Sequence, residues 1–171
     1  TKTKQAFSKT ALKPIPGTDV LPDAEHAVRE ASKIGYPVML KARSGGGGRG
    51  IRVIHSDAQL RQAFPLAVAE SEAAFGDGAV YLEKCVTPAR HIEVQILADE
   101  QGNVVCLGER DCSVQRHHQK LLEESPSPAI RPEERAPLFG AVAEAVRAIG
   151  YTGVGTLEFL RDRSGNLWFM E

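Results

Sequence analysis

The sequence predicts an α+β protein of two lobes, and three patterns carry that prediction. Two short apolar runs, Pro37-Val38-Met39-Leu40 and Ile51-Arg52-Val53-Ile54, flank a glycine-rich tip and read as a hairpin set between two helical patterns. Further along, Ile92, Val94 and Ile96 alternate with Glu93 and Gln95, which marks a strand with one apolar face. Leu138, Val142, Ala145, Val146 and Ile149 then recur at helical spacing ahead of a last hairpin, so a second antiparallel sheet is covered by a helix.

Taken in order, a Lys-rich, weakly helical start runs into Lys13-Pro14-Ile15-Pro16-Gly17, where the prolines enforce an extended connector. Asp23 is a good N-cap for a helix that carries Ala24, Ala27, Val28, Ala31 and Ile34 on one stripe and stops at Gly35. Ser56 with Gln59 three residues on resembles a capping box, opening a helix through about Ala74 that Pro65 should disturb. Tyr81 to Val86 is an apolar segment ended by Thr87-Pro88, and Asp99 to Asn103 turn the alternating strand back into Val104-Val105-Cys106-Leu107. Pro132 fits the first turn of the third helix, and Gly150 closes it. Gly155 to Leu160 and Asn166 to Glu171 flank a Ser164-Gly165 turn. The expected division is an N-terminal helix and connector over 1–22, a small lobe over 23–82 and a larger lobe over 83–171. Both ends look cut, so a fragment of a longer protein, with the larger lobe truncated at its C-terminus, is expected.

Composition narrows the function classes. With 171 residues and a formal net charge of -1, the surface as a whole offers no attraction for nucleic acid or an anionic membrane. No apolar run approaches the roughly 20 residues of a membrane span, and the start lacks a secretory signal. A cytoplasmic or mitochondrial-matrix location fits that pattern. Cys85, Cys106 and Cys112 are odd in number and lack Cys-x-x-Cys spacing, so they read as free thiols rather than a disulfide framework or zinc site.

Chemistry concentrates in four places. The tip Ser44-Gly45-Gly46-Gly47-Gly48-Arg49-Gly50 spends more backbone entropy than a structural turn requires, and a polyanion would offset that cost: glycine amides can fold over phosphate oxygens while Lys41 and Arg49 supply charge. It is not a Walker loop, because no Lys-Ser or Lys-Thr pair opens a helix after it; the alternative is an exposed flexible linker. Glu158 and Glu171 lie on the two arms of the last hairpin among large apolar neighbours, and two such carboxylates call for a cation, magnesium being suited to hard oxygens completed by phosphates. The alternative there is two solvated strand residues. Arg110 to Lys120 is the densest polar stretch; it reads either as a solvated surface loop or as an anion site with His118 and Lys120 as donors. Glu83-Lys84-Cys85-Val86 could present backbone groups and a carboxylate to an adenine edge.

Together these segments resemble the biotin carboxylase branch of the ATP-grasp ligases. The resemblance rests on Tyr36-Pro37-Val38 through Lys41 and the glycine run, Leu82-Glu83-Lys84, Arg90-His91-Ile92-Glu93-Val94-Gln95, Glu109-Arg110-Asp111-Cys112-Ser113, Gln115, His118-Gln119-Lys120 and Gly155-Thr156-Leu157-Glu158-Phe159, and it covers nearly the whole chain. It implies the ATP-grasp fold, with a small lobe carrying a glycine lid and part of a larger antiparallel-sheet lobe. It also implies an enzyme that forms carboxyphosphate from ATP and bicarbonate and then carboxylates biotin on a carrier domain, with a carboxyltransferase component as further partner and a homo-oligomer at full length.

By the same resemblance Lys41 should contact ATP phosphates, with Gly47 and Gly48 in the lid over them. Glu83, Lys84 and Val86 match the segment that receives adenine, and Leu160 packs against the base. His91, Gln115 and His118 match positions on the ribose and phosphate side; Lys120, with His118, matches the catalytic contact to bicarbonate and phosphate. Glu158 and Glu171 match the pair that bridges magnesium or manganese. The family's Met-Asn-Thr-Arg and Gln-Val-Glu-His segments, its preceding nucleotide-fold domain and its upstream lysine are missing from this sequence, Lys2 and Lys4 not aligning with the last. These 171 residues alone are therefore expected to be inactive as a carboxylase. The alternatives are a carbamoyl phosphate synthetase-like enzyme and a non-catalytic nucleotide-binding module.

Overall fold

The computed structural model describes residues 10–45, 50–116 and 119–171. Their elements are β1 (Lys13–Pro14), α1 (Ala24–Ile34), β2 (Val38–Ala42), β3 (Ile51–Ile54), α2 (Asp57–Phe75), β4 (Val80–Lys84), β5 (Ala89–Ala98), β6 (Val104–Arg116), β7 (Gln119–Glu124), α3 (Pro132–Ala148), β8 (Gly153–Asp162) and β9 (Leu167–Phe169). Two compact units result: Ile15–Cys85, and Val86–Glu171 with the described part of Thr1–Pro14.

In the smaller unit β2 lies between β3 and β4, antiparallel to both. Local signals set its helices. Asp23 accepts from the His26 N–H at 2.7 Å, and Gly35, at φ 83, ends α1 with its N–H on the Ala31 carbonyl. Lys84 reaches the carbonyls of Gly35 at 2.7 Å and Tyr36 at 3.3 Å, placing a cation at the negative end of α1. Ser56 caps α2, while Gln59 reaches past it to the His55 N–H at 2.7 Å. Pro65, expected to disturb α2, does not: the helix runs on to Phe75, and the proline and Arg61, whose carbonyl it cannot serve, are both exposed residues. Ala27, Val28, Ala31, Leu60 and Phe64 pack on Val38, Leu40, Ile54, Val80 and Leu82.

The connector expected over 1–22 is divided. Lys13–Pro14 pairs in parallel with β9, an edge position that tolerates proline. Thr18 and Leu21 donate backbone N–H groups to Leu82 and Val80 at 2.9 Å each, so residues 15–22 belong with the smaller unit. The units therefore change at 14/15 and 85/86, where the sequence reading set boundaries after residues 22 and 82.

The larger unit is a six-stranded sheet in the order β1-β9-β8-β5-β6-β7, antiparallel except for the β1–β9 pair. Ile92, Val94, Ile96, Leu157, Phe159 and Phe169 form one face, and α3 covers it with Leu138, Val142, Ala145 and Val146. Phe159 and Phe169 meet edge to face at 5.9 Å between centroids. Each such buried side chain contributes about 1.5–3 kcal/mol from apolar burial. Glu109, at 1% exposure, pairs beneath this face with Arg135 of α3 at 2.7 Å. Of the two readings of Arg110 to Lys120, the surface loop is not what forms: its described residues are strand. β6 continues through Arg116 and β7 begins at Gln119, because the polar side chains that look like a loop find partners across the sheet. The three cysteines are free thiols, as expected. No described helix is long and apolar enough to cross a membrane.

Candidate functional site

The second face of the larger sheet carries the polar set. The β5–β8 register places Glu93 opposite Glu158, and like charges so opposed need a cation between them. Lys120 of β7 supplies it: its ammonium donates to Glu93 Oε1 and, at 2.9 Å, to Glu158 Oε1. Arg110 takes the other oxygen of Glu93 at 2.8 Å, and His91 Nε2 lies 2.9 Å from Glu158 Oε2. Two carboxylates thus meet two cations and an imidazole.

Glu93 is 2% exposed and Glu158 14%. Burial works to raise the Glu158 pKa, but the hydrogen bonds of His91 and Lys120 and the ammonium charge of Lys120 outweigh it and hold the carboxyl well below the ordinary glutamate range. Gln115 Nε2 lies 2.8 Å from His91 Nδ1, and Ser113 Oγ accepts the His91 backbone N–H at 2.9 Å. Ser113 is held in turn by Asp111, which also binds Arg90 at 2.9 Å. Ligand atoms of His91, Glu93 and Glu158 fall within 4.8 Å of one another, a grouping that could hold a cation, where Lys120 now stands.

The backbone of Glu158 is paired with the end of the last hairpin, donating to the Glu171 carbonyl at 2.6 Å and accepting from the Met170 N–H at 2.8 Å. The Glu171 side chain is exposed. Leu160, half-buried, sits opposite His91 on β5 and Trp168 on β9.

In the smaller unit Lys41 Nζ lies 2.9 Å from Glu83 Oε2, with the glutamate 3% exposed, and 5.9 Å above the Tyr81 ring. The root of the glycine run is tied down. Asp77, in the turn between α2 and β4, accepts from Arg43 Nε at 3.1 Å and Nη2 at 3.0 Å, from Ser44 Oγ at 2.6 Å and from the Ala79 N–H at 3.1 Å. Those bonds, Ser44 foremost, then Ala79 and Arg43, lower the Asp77 pKa.

Of the residues picked from sequence, His91, Gln115, Lys120 and Glu158 come together on one sheet face, and Lys41 meets Glu83. Lys84 turns its side chain to the end of α1, while its N–H and that of Cys85 bind the carbonyls of Pro16 and Pro37. Val86 follows, half-buried. Gly47, Gly48 and His118 lie outside the described residues. Glu93 and Arg110 were not picked as site residues, although both occupy the motifs that carry the resemblance. The signal available for Glu93 was a carboxylate between Ile92 and Val94, on the polar side of the alternation.

A helix-backed three-stranded sheet in which the glycine run lies between β2 and β3 in sequence, and a larger sheet bearing an acid–base cluster, are the components of an ATP-grasp nucleotide-binding fold. The chain belongs to the family described as carbamoyl-phosphate synthase L chain, ATP binding domain, whose pattern matches residues 1–171. Relatives near half identity are named biotin carboxylase. It is 52% identical over 169 residues to biotin carboxylase 2, chloroplastic, of Populus trichocarpa, covering 98% of this chain and 32% of that protein. It is 50% identical over 169 residues to the biotin carboxylase of Nostoc sp., covering 38% of it.

Among solved structures, the biotin carboxylase domain dimer of Hydrogenobacter thermophilus 2-oxoglutarate carboxylase, in complex with MgADP, ADP and bicarbonate, superposes with a TM-score of 0.96 at 45% identity over 99% of this chain and 38% of that one. The Campylobacter jejuni biotin carboxylase in complex with β-γ-ATP gives 0.95 at 48%, again over 99% and 38%. The resemblance read from the sequence is borne out. The chain spans about a third of the length of these relatives. Where these relatives' names give a location it is chloroplastic, so the mitochondrial alternative finds no support there.

Proposed function

We propose that this chain is the ATP-binding portion of a biotin carboxylase, acting in the ATP-dependent carboxylation of carrier-borne biotin with bicarbonate through carboxyphosphate. The observation that carries the reading is the cluster of Lys120, Glu93, Glu158 and His91, on a fold matched at 0.96 by a carboxylase domain holding MgADP and bicarbonate. Lys120 is a cation held in place by two carboxylate partners, and the third of its three N–H donors can serve an incoming oxyanion of bicarbonate or phosphate. Lys41 is the corresponding phosphate contact on the smaller unit. Gly47 and Gly48 accompany it, Glu83, Lys84, Val86 and Leu160 receive the adenine, His91, Gln115 and His118 serve the ribose and phosphates, and His118 assists Lys120.

Glu158, held ionised, and the exposed Glu171 offer hard oxygens from adjoining backbone positions, a donor set that fits magnesium or manganese. When bound, that ion neutralises phosphate charge and favours displacement at the γ-phosphorus. Biotin on a carrier domain, a carboxyltransferase component, a homo-oligomer and a cytoplasmic location go with this reading. The carbamoyl phosphate synthetase alternative is not favoured, since relatives near half identity are named biotin carboxylases.

The test is ADP release by the full-length protein. Release that needs magnesium and bicarbonate and rises with free biotin supports the reading. Carbamoyl phosphate formation, or the absence of nucleotide binding by calorimetry, overturns it.

A further inference from the structure

We infer that Gln115 is a positioning residue whose side-chain amide fixes His91 as the tautomer protonated at Nε2, so that His91 donates to Glu158. The chain of hydrogen bonds begins at Cys112. Its carbonyl can only accept, and Gln115 Nε2 lies 2.8 Å from it, so the amide is oriented with its NH2 group toward this bond. The opposite orientation would set two oxygens against each other. The same NH2 group has a second hydrogen, and His91 Nδ1 lies 2.8 Å away. A donor pointed at Nδ1 makes that nitrogen the acceptor of the ring, and in a neutral imidazole the proton then sits on Nε2. Nε2 is 2.9 Å from Glu158 Oε2 and 3.6 Å from Glu93 Oε1, both acceptors when ionised.

Every link in the chain Cys112 carbonyl, Gln115 amide, His91 ring, Glu158 carboxylate therefore has a donor facing an acceptor. The ring's remaining freedom is removed from behind, where Ser113 Oγ holds the His91 backbone N–H and Asp111 holds Ser113 through Oγ at 2.5 Å and through N at 3.0 Å. One consequence concerns metal binding. With its Nε2 lone pair carrying the proton, His91 is not a ligand, and His91, Glu93 and Glu158 do not form a metal site of their own. Glu158 is instead held by two donors, His91 on Oε2 and Lys120 on Oε1, in the rotamer it presents.

This inference stands on hydrogen bonds within the larger unit and does not require the proposed function; failure of nucleotide binding would overturn that function and leave this readout unchanged. The experiment is histidine-selective 15N NMR of the full-length protein, with the pH raised until the His91 shifts stop changing and the His91 signals identified by their loss in His91→Asn. The expected wild-type pattern is an unprotonated Nδ1 and a protonated Nε2. Gln115→Leu should replace it with a mixture of tautomers, and Gln115→Glu, which offers Nδ1 an acceptor while Glu158 still faces Nε2, should put a proton on Nδ1 as well. A wild-type His91 protonated at Nδ1 would overturn the inference, whatever the fate of the variants. So would an unchanged pattern of unprotonated Nδ1 and protonated Nε2 in a folded Gln115→Leu or Gln115→Glu protein.

Discussion

Lys41→Met in the full-length protein removes two things at once, and the structure shows how to separate them. Lys41 is the proposed phosphate contact, and it is also the 2.9 Å partner of Glu83, whose carboxylate is 3% exposed. Taking away one member of a buried ion pair costs about 3–5 kcal/mol, because the other charge stays desolvated. Here the lower end applies, about 3 kcal/mol, since Lys41 keeps 18% exposure and Glu83 can take up a proton instead. That corresponds to a loss on the order of a hundredfold in the folding equilibrium.

Urea unfolding and calorimetric titration of magnesium-ATP should be run on Lys41→Met, Glu83→Gln and the double variant. The neutral pair in the double variant should recover most of the lost stability without recovering nucleotide affinity. Wild-type stability of Lys41→Met would refute the buried-pair argument. Recovery of affinity in the double variant would refute the phosphate role, because the single change would then have acted only through folding.

Other expectations follow from the same geometry. Glu158→Gln should weaken the magnesium dependence of ATP turnover in the full-length protein; an unchanged magnesium titration would remove Glu158 from the metal pair. Asp77→Ala frees Arg43 and Ser44 at the root of the glycine run, and the KM for ATP should rise more than kcat falls, which steady-state kinetics will show. Burial of Asp111 acts to raise its pKa, but hydrogen bonds from Ser113 and Arg90 bring it below the ordinary 3.8. Its contribution to stability is therefore complete above pH 3.8 and is lost as pH falls through the lower folded value. Asp111→Asn should flatten that part of the acid-unfolding profile, and an unaltered profile would rule the contribution out. Gly50 has φ +74 and an added Cβ would lie 2.9 Å from Ala42 Cβ, so Gly50→Ala should lower stability by about 1–3 kcal/mol in urea unfolding.

Much of the fold is written locally. The Asp23 and Ser56 caps, the Gly35 and Gly150 stops, the apolar stripe of α3 and the glycine-tipped hairpin each depend on neighbours within a few positions, and a linear reading reaches them. The site was legible through motifs, which pointed to His91, Gln115, Lys120 and Glu158. Alternation along β5 assigned Glu93 to the polar face but could not say what covers that face. Its partners, Arg110 and Lys120, come from strands 17 and 27 positions further on.

For the same reason Arg110 to Lys120 could be read as solvated loop or as an anion site: a polar side chain set against an opposite charge has the composition of one in water. Nor could local pattern pair Lys13 with Trp168, or aim Lys84 at the end of α1 instead of outward. What the amino-acid order determined alone was where the three helices and the apolar strands lie, which face of each is apolar and which residue types can do phosphate chemistry. Tertiary structure alone decided which charges neutralise one another, because that balance depends on distances closed by packing between segments far apart in the chain.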